Sequence, residues 1–134
     1  MPLTTTIGSV MTGYPYSVET DAHLSTAKSM FTQYNIHHLP VRNGDKWVGV
    51  ITARDLRIAE DLGVDISVKS DVRVRNLCNR TAYIVGPDEP LVTVLQHMAE
   101  WYLDAVLVVR SDKLLGIFTS TDTCKRYAGL LSGK

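Results

Sequence analysis

The amino-acid sequence predicts a mixed α/β protein built from two copies of one βαββα motif, packed with pseudo-two-fold symmetry into one globule. Shifting the 134-residue sequence by 67 positions aligns residues 11–55 with 78–122 without a gap, and eleven of the 45 aligned positions are identical. Within each copy, one hydrophobic segment follows the helical period and others form short strand-like runs. A motif of about 60 residues hides too little surface to be stable alone, so we expect the copies to pack together.

Each copy begins with a short strand and an amphipathic helix. We predict the strands at residues 16–18 and 83–85, and acidic N-caps at Asp21 and Asp88. Asn35 is expected to end the first helix. The apolar stripe of each helix, spaced i, i+3, i+7 and i+10, is expected to face the core: Leu24, Ala27, Phe31 and Tyr34 in copy one, and Leu91, Val94, Met98 and Trp101 in copy two.

Two strands joined by a tight turn follow, and a second helix closes each copy. Asn43-Gly44-Asp45 is a strong hairpin signal between strands at 38–42 and 47–52, and Ser111-Asp112 joins their counterparts at 106–109 and 114–119. The closing helices are predicted at 53–62, before Gly63, and at 120–131. The predicted organisation is therefore motif one at 7–62, a connector at 63–73 and motif two at 74–131.

Composition excludes several classes of protein. Fourteen Lys and Arg balance fourteen Asp and Glu, so the charge that drives nucleic-acid binding is absent. Two cysteines without a CxxC motif argue against a disulfide framework or a thiolate zinc site. No apolar run reaches the roughly 18 residues of a membrane span, and the N-terminus does not resemble a signal peptide. We therefore expect a cytoplasmic protein that binds neither nucleic acid nor membrane.

The repeated chemistry lies where the last strand of each copy meets the closing helix. Copy one reads Gly49-Val-Ile-Thr-Ala-Arg-Asp55, and copy two reads Gly116-Ile-Phe-Thr-Ser-Thr-Asp122. A glycine permits close approach of a ligand, and N–H groups at a helix start favour a phosphate. The threonine hydroxyl adds a donor, and the aspartate can accept the hydroxyl groups of a ribose. These features together indicate a nucleotide site in each copy.

The same residues also fit a structural role. Thr-x-x-Asp at a helix start is a variant of the capping box, which needs no ligand. Duplication does not separate the two interpretations, because a cap would be copied with the rest of the motif. Both interpretations therefore stay open at this point.

Catalytic and metal chemistry find little support in the sequence. No nucleophile–histidine arrangement, acid–base carboxylate pair or dinucleotide glycine motif is recognisable. The adjacent His37 and His38 start a strand and would point to opposite faces, so they cannot chelate one ion together. We expect no catalytic residues, no metal and no required cofactor.

The whole chain resembles a tandem pair of CBS domains, often called a Bateman module. The resemblance runs from Val10 to Leu131 and is strongest in His-His-Leu-Pro-Val41, Gly-Val-Ile-Thr-x-Arg-Asp55 and Gly-Ile-Phe-Thr-x-x-Asp122. It implies a regulatory module that binds AMP, ADP, ATP or a related adenosine compound in clefts between the motifs, forms a homodimer and signals to a separate protein. The alternative is an oligomerising interaction module without a ligand.

The resemblance also assigns roles to residues. It implies that the aspartate holds the ribose, that the threonine faces phosphate, and that the first strand and the Pro-Val segment flank the base. In this sequence those residues are Tyr16, Leu39, Pro40, Thr52, Arg54 and Asp55 in one site, and Tyr83, Val106, Leu107, Thr119, Thr121 and Asp122 in the other.

Copy two departs from the pattern at three positions. Cys78 replaces Met11, Leu107 replaces Pro40, and Thr121 replaces Arg54. The missing arginine removes a fixed charge that could pair with phosphate. We therefore expect unequal sites, with the charged nucleotide preferring the site at Asp55.

Overall fold

The computed structural model describes residues 4–133 and contains four helices and two β-sheets in that part of the chain. The predicted mixed α/β class is confirmed. In chain order the elements are β1 Thr12–Gly13, β2 Val18–Glu19, α1 Leu24–Tyr34, β3 His38–Asn43, β4 Lys46–Thr52, α2 Ala53–Asp61, β5 Ile84–Val85, α3 Leu91–Trp101, β6 Ala105–Arg110, β7 Lys113–Thr119 and α4 Ser120–Leu131. Short 3-10 turns occur at Ile7–Ser9 and Val74–Asn76.

The chain divides into two units that are not identical with the two sequence copies. The first unit is Tyr16–Ala82, and the second joins the segment up to Pro15 with the chain from Tyr83 onward. In the second unit β1 pairs antiparallel with β7, and in the first unit Asn79 forms an antiparallel bridge with Val50 on β4. The N-terminal segment of each copy therefore pairs with the closing strand of the other copy.

The first unit is a three-stranded sheet covered by two helices. The strand order is β2-β3-β4, with β2 parallel and β4 antiparallel to β3. Alternating side chains of β4 enter the core because successive residues of a strand face opposite sides. The buried cluster includes Leu24, Ala27 and Phe31 of the predicted stripe, together with Leu56 and Ala59 from α2.

The second unit repeats this arrangement with one more strand. Its order is β1-β7-β6-β5. Leu91, Val94 and Met98 from α3 pack on Val106, Val108 and Phe118, as the helical stripe predicts. In contrast, α4 buries no residue. At the positions where α2 buries Leu56 and Ala59, α4 carries Thr123 and Arg126, which favour solvent.

The prediction that Asp21 and Asp88 cap the long helices is wrong. The N-cap residues are His23 and Pro90, and neither makes a side-chain capping bond. The first helical N–H groups instead donate to backbone carbonyls of neighbouring segments, Leu24 to Val72 (3.0 Å) and Leu91 to Thr5 (2.8 Å). With those donors satisfied, the carboxylate of Asp21 is free to pair with Arg75 at 2.6 Å.

The last member of each predicted stripe does not enter the core. Trp101 is 61% exposed and Tyr34 lies at the surface. Each packs on another ring: Tyr34 stacks on Tyr16 with centroids 3.8 Å apart, and Trp101 stacks on His97 at 5.7 Å. Ring stacking therefore takes the place of core burial at these two positions.

The turn and helix-end predictions are confirmed within one or two residues. Asn35 adopts the left-handed conformation at the end of α1 (φ 51°), and Gly63 has φ 93° after α2. Gly44 (φ 62°) and Ser111-Asp112 (φ 51° and 63°) provide the positive φ angles that tight hairpins require.

Candidate functional site

The junction between β4 and α2 is a complete capping box. The Asp55 N–H donates to Thr52 Oγ1 at 3.0 Å, and the Thr52 N–H donates to Asp55 Oδ2 at 2.9 Å. The two side chains thereby satisfy two donors that a helix start leaves unpaired. This geometry fixes the position of the Asp55 carboxylate relative to the strand end.

The junction between β7 and α4 repeats the geometry. The Asp122 N–H donates to Thr119 Oγ1 at 3.3 Å, and the Thr119 N–H donates to Asp122 Oδ2 at 2.9 Å. The Thr119 hydroxyl also lies 3.1 Å from the same Oδ2 atom. Thr119 is buried, which holds this second box in place.

The capping interpretation of both junctions is therefore confirmed, and it leaves part of each carboxylate unused. An ionised carboxylate has two oxygens and about four acceptor positions. In the described part of the chain, the hydrogen bonds of Asp55 and Asp122 reach only Oδ2. The Oδ1 atom of each aspartate can accept hydrogen bonds from another molecule.

Gly49 and Gly116 do not leave space for a ligand, contrary to the expectation from sequence. An added Cβ at Gly49 would lie 2.8 Å from the Asn79 carbonyl carbon and would overlap its oxygen. At Gly116 it would overlap the side chain of Met11 and lie 2.8 Å from the Thr12 oxygen. Both glycines permit close approach of the chain itself.

The residues predicted to flank the base are mostly buried. The side chains of Leu39, Pro40, Val106 and Leu107 lie in the interior, so they can meet a ligand only through the backbone. The register of β3 and β4 pairs Pro40 with Val50 and His38 with Thr52. The Pro-Val segment and the Thr52 junction therefore lie at the same end of this strand pair.

Pro40 and Leu107 create different strand edges. In the second unit the Leu107 N–H donates to the Tyr83 carbonyl at 2.9 Å. The position corresponding to Tyr83 in copy one is Tyr16, and Pro40 has no N–H to donate to it. The Tyr16 carbonyl therefore lacks the strand partner that the Tyr83 carbonyl has.

Both predicted tyrosines are stacked on helices. The Tyr16 ring is 49% exposed and lies parallel to Tyr34, with an angle of 6° between the planes. Tyr83 stacks on His97 at 4.4 Å. Burial, with a smaller contribution from the nearby Glu89, raises the pKa of Tyr83 above its ordinary value, so this phenol stays protonated at neutral pH.

Charged groups distinguish the two junctions. Arg54 is exposed on α2, whereas Thr121 occupies the corresponding place on α4. Arg80 was not among the predicted site residues, but the bridge between Asn79 and Val50 brings its backbone onto β4 of the first unit. The sequence signal for this placement was Gly49. Its role can be interpreted only when its contact with Asn79 and Arg80 is known.

Among residues 4–133 there is no group of three or more His, Cys, Asp or Glu side chains placed to hold a metal ion. None of the helices in the described chain is long and apolar enough to cross a membrane. A cavity of about 350 Å³ in the second unit contains none of the predicted site residues in its lining, which is Met98, Ala99, Tyr102, Leu103, Asp104 and Ser120.

A family model for the CBS domain matches the chain twice, over residues 7–61 and 74–129. The chain therefore belongs to the CBS-domain family and carries a tandem pair of these domains. This confirms the resemblance found in the sequence.

Solved structures with the same fold cover nearly the whole chain. An acetoin utilization protein (AcuB) from Vibrio cholerae superposes with a TM-score of 0.79 at 23% identity, over 98% of this chain and 97% of its own. The CBS domain pair of protein MJ0100, solved with 5′-methylthioadenosine and S-adenosyl-L-methionine, has a TM-score of 0.77 at 24% identity, over 93% and 97%. At these identities the likeness shows the fold alone.

The curated relatives are much longer than the matched region. A homoserine O-acetyltransferase from Methanococcoides burtonii is 28% identical over 120 residues, which are 88% of this chain and 23% of that protein. The uncharacterized protein MJ1232 from Methanocaldococcus jannaschii is 27% identical over 124 residues, 92% of this chain and 40% of that protein. The chain thus spans less than half the length of these relatives.

Proposed function

We propose that this CBS pair is a non-catalytic regulatory module that binds an adenosine-containing ligand, with its stronger site at Asp55. The ligand would be an adenine nucleotide such as AMP, ADP or ATP, and its occupancy would be transmitted to a separate protein. A ligand shifts such an equilibrium only through a difference in affinity between two states.

The observation that carries this proposal is that only one of the two carboxylate oxygens of Asp55 is used by the helix cap. Oδ2 is held by the Thr52 N–H at 2.9 Å, while Oδ1 has no hydrogen bond within residues 4–133. A carboxylate fixed through one oxygen presents the other in a set direction, so little side-chain entropy is lost on binding. Ribose hydroxyls are suitable donors, and a charge-assisted bond of this kind contributes about 1.5–3 kcal/mol.

The base is recognised in this proposal by groups of β3 and the segment before β2. The Tyr16 carbonyl, which Pro40 cannot bond, can accept from the exocyclic amino group of adenine. The Tyr16 ring can also stack on the base, because Tyr16 stays 49% exposed beside Tyr34. Hypoxanthine has a carbonyl in place of that amino group, so this arrangement favours AMP over IMP.

The site at Asp122 is the weaker of the two in this account. The Tyr83 carbonyl, which corresponds to the Tyr16 carbonyl of the first site, already accepts a hydrogen bond from the Leu107 N–H. Thr121 supplies no charge. Lys125 and Arg126 lie further along α4 and compensate only in part. The bound ligands of the MJ0100 pair, 5′-methylthioadenosine and S-adenosyl-L-methionine, support adenosine as the shared chemical element.

Calorimetric titration with AMP, ATP, S-adenosylmethionine, adenosine and IMP tests the proposal. We expect saturable binding of at least one adenosine compound, with AMP binding more tightly than IMP. A thermal-shift series provides a second readout, because a ligand at about 100 times its Kd adds about 2.7 kcal/mol of stability. Absence of binding by all adenosine compounds would overturn the proposal.

A second candidate function, an oligomerising module without a ligand, is favoured by the exposed face of α4. This helix buries no side chain, and it exposes Tyr127, Leu130 and Leu131. We propose that a second copy of this chain packs on this face of α4. Zero net charge imposes no repulsion between copies, and a two-fold contact sets one apolar surface against itself.

Light scattering after size-exclusion chromatography tests this association. We expect the mass of a dimer for the unmodified chain and a shift toward the monomer for Leu131→Glu. Glu60→Gln, on the exposed surface of α2, is the control for helix-surface changes. A monomer at all concentrations would contradict the dimer.

A further inference from the structure

The N-terminal segment of copy two is fixed against β4, the last strand of the first unit. The Val50 N–H donates to the Asn79 carbonyl at 3.1 Å, and the Asn79 N–H donates to the Val50 carbonyl at 3.2 Å. An added Cβ at Gly49 would lie 3.1 Å from the Arg80 Cα. The backbone of Arg80 therefore packs on β4, three residues before the Thr52 cap.

Within residues 4–133 the guanidinium of Arg80 has no acidic partner. Nearby arginines do: Arg75 pairs with Asp21 at 2.6 Å, and Arg73 pairs with Asp71 at 3.0 Å. Arg80 makes a long contact of 3.5 Å from Nη2 to the Arg75 carbonyl and a side-chain hydrogen bond with Cys78, and in the described chain it forms no ion pair. Its positive charge is thus available to an anion.

The backbone contact with β4 brings Arg80 toward the strand end that leads to Asp55, and the environment of Cys78 agrees with this placement. Burial raises the pKa of the Cys78 thiol, the charge and hydrogen bond of Arg80 lower it, and the charge of Asp55 raises it. Electrostatic effects of this kind weaken with distance, so the thiol supports the placement that the backbone contacts give. Arg80 therefore starts from the part of β4 that leads into the Thr52–Asp55 cap.

The second unit lacks this cation. The residue that corresponds to Arg80 is Gly13 on β1, where the chain crosses β7 in the same way, pairing with Gly116. Thr121 replaces Arg54 in the same site. The pairing is thus repeated in both units, but only the first unit carries an arginine on the paired segment (Arg80) and another at the second residue of the closing helix (Arg54).

We propose that Arg80 determines ligand specificity, by making the Asp55 site select an adenosine ligand that bears a phosphate over one that does not. The guanidinium provides a planar set of donors suited to phosphate oxygens. This inference rests on the proposed adenosine site and adds the residue that makes the site prefer a phosphate-bearing ligand. The site at Asp122 has no such preference.

The test compares AMP with adenosine, which differ only in the phosphate, by calorimetry on the full chain at low ionic strength. The variants are Arg80→Gln, Arg80→Lys and a control, Lys46→Gln. Lys46 lies at the opposite end of β4, and Lys46→Gln removes the same charge as Arg80→Gln. We expect Arg80→Gln to weaken AMP by roughly 10- to 100-fold, to change adenosine less than about twofold, and Arg80→Lys to restore part of the AMP affinity.

Alkylation of Cys78 provides a readout that needs no ligand. Removing the cation raises the thiol pKa further, so Cys78 should react more slowly in Arg80→Gln than in the unmodified chain. Equal loss of AMP and adenosine, or no loss of either, would overturn the role of Arg80 and leave the adenosine site standing. Failure of the unmodified chain to bind either compound would reject the proposed function, and this inference with it.

Discussion

Gly49→Ala is predicted to destabilise the first unit by displacing the crossing segment, residues 79–80, from β4. The new Cβ would lie 2.8 Å from the Asn79 carbonyl carbon and would overlap its oxygen. The crossing segment must move away, and its two bonds to Val50, now 3.1 and 3.2 Å, would both be lost. At about 1 kcal/mol for each bond the loss is about 2 kcal/mol. The reduced entropy of the unfolded chain offsets about 0.4–1 kcal/mol of it.

Urea unfolding followed by the fluorescence of the buried Trp47 measures this effect. A net loss of about 1–1.5 kcal/mol lowers the midpoint by roughly 0.5–1 M urea. Gly86→Ala is the matched control, because an added Cβ there meets nothing within 4 Å. If Gly49→Ala unfolds at the same midpoint as Gly86→Ala, the close contact between β4 and the crossing segment is refuted.

Three further predictions concern reactivity, the second cap and the base edge. At pH 8, iodoacetamide should modify the exposed Cys124 before Cys78, because the raised pKa of Cys78 leaves less of its thiolate. The difference in rate should shrink as the pH rises through the pKa of Cys78. Equal rates at pH 8 would contradict this prediction. Asp122→Ala removes a capping box and should cost about 1 kcal/mol in urea unfolding, and an unchanged midpoint would contradict the cap. Pro40→Leu supplies an N–H for the Tyr16 carbonyl and should reduce the preference for AMP over IMP in calorimetry; an unchanged ratio would exclude that carbonyl from base recognition.

The sequence predicted the elements of this fold because their signals are local. The shifted alignment, the apolar period of α1 and α3, and the turn residues around Gly44 and Gly63 depend on neighbours in the chain. The errors arose where a distant segment supplies the partner. Aspartate is a residue type that favours the N-cap position, which is why Asp21 was predicted there. The Val72 carbonyl accepts the Leu24 N–H at the helix start, so the Asp21 carboxylate pairs with Arg75 instead.

The candidate site was predictable to a smaller extent. Thr52 and Asp55 form the capping box that their spacing allows, yet the same spacing cannot reveal which carboxylate oxygen stays free. Gly49 was recognised as a point of close approach, but the approaching group is Asn79 rather than a ligand. Arg80 was not predicted as a site residue, because its contact with β4 joins residues about 30 positions apart.

The central claim is that the Asp55 carboxylate caps α2 with one oxygen and holds a ribose with the other, and AMP titration of Asp55→Asn tests it most directly. The amide oxygen can still accept from the Thr52 N–H, so stability should fall by less than about 1 kcal/mol. The group facing the ligand loses its charge, so AMP affinity should fall by roughly 10- to 150-fold. Asp61→Asn, the same change at the end of α2, should leave affinity unchanged. Equal AMP affinity for Asp55→Asn and the unmodified chain would contradict the claim and leave Asp55 as a helix cap alone.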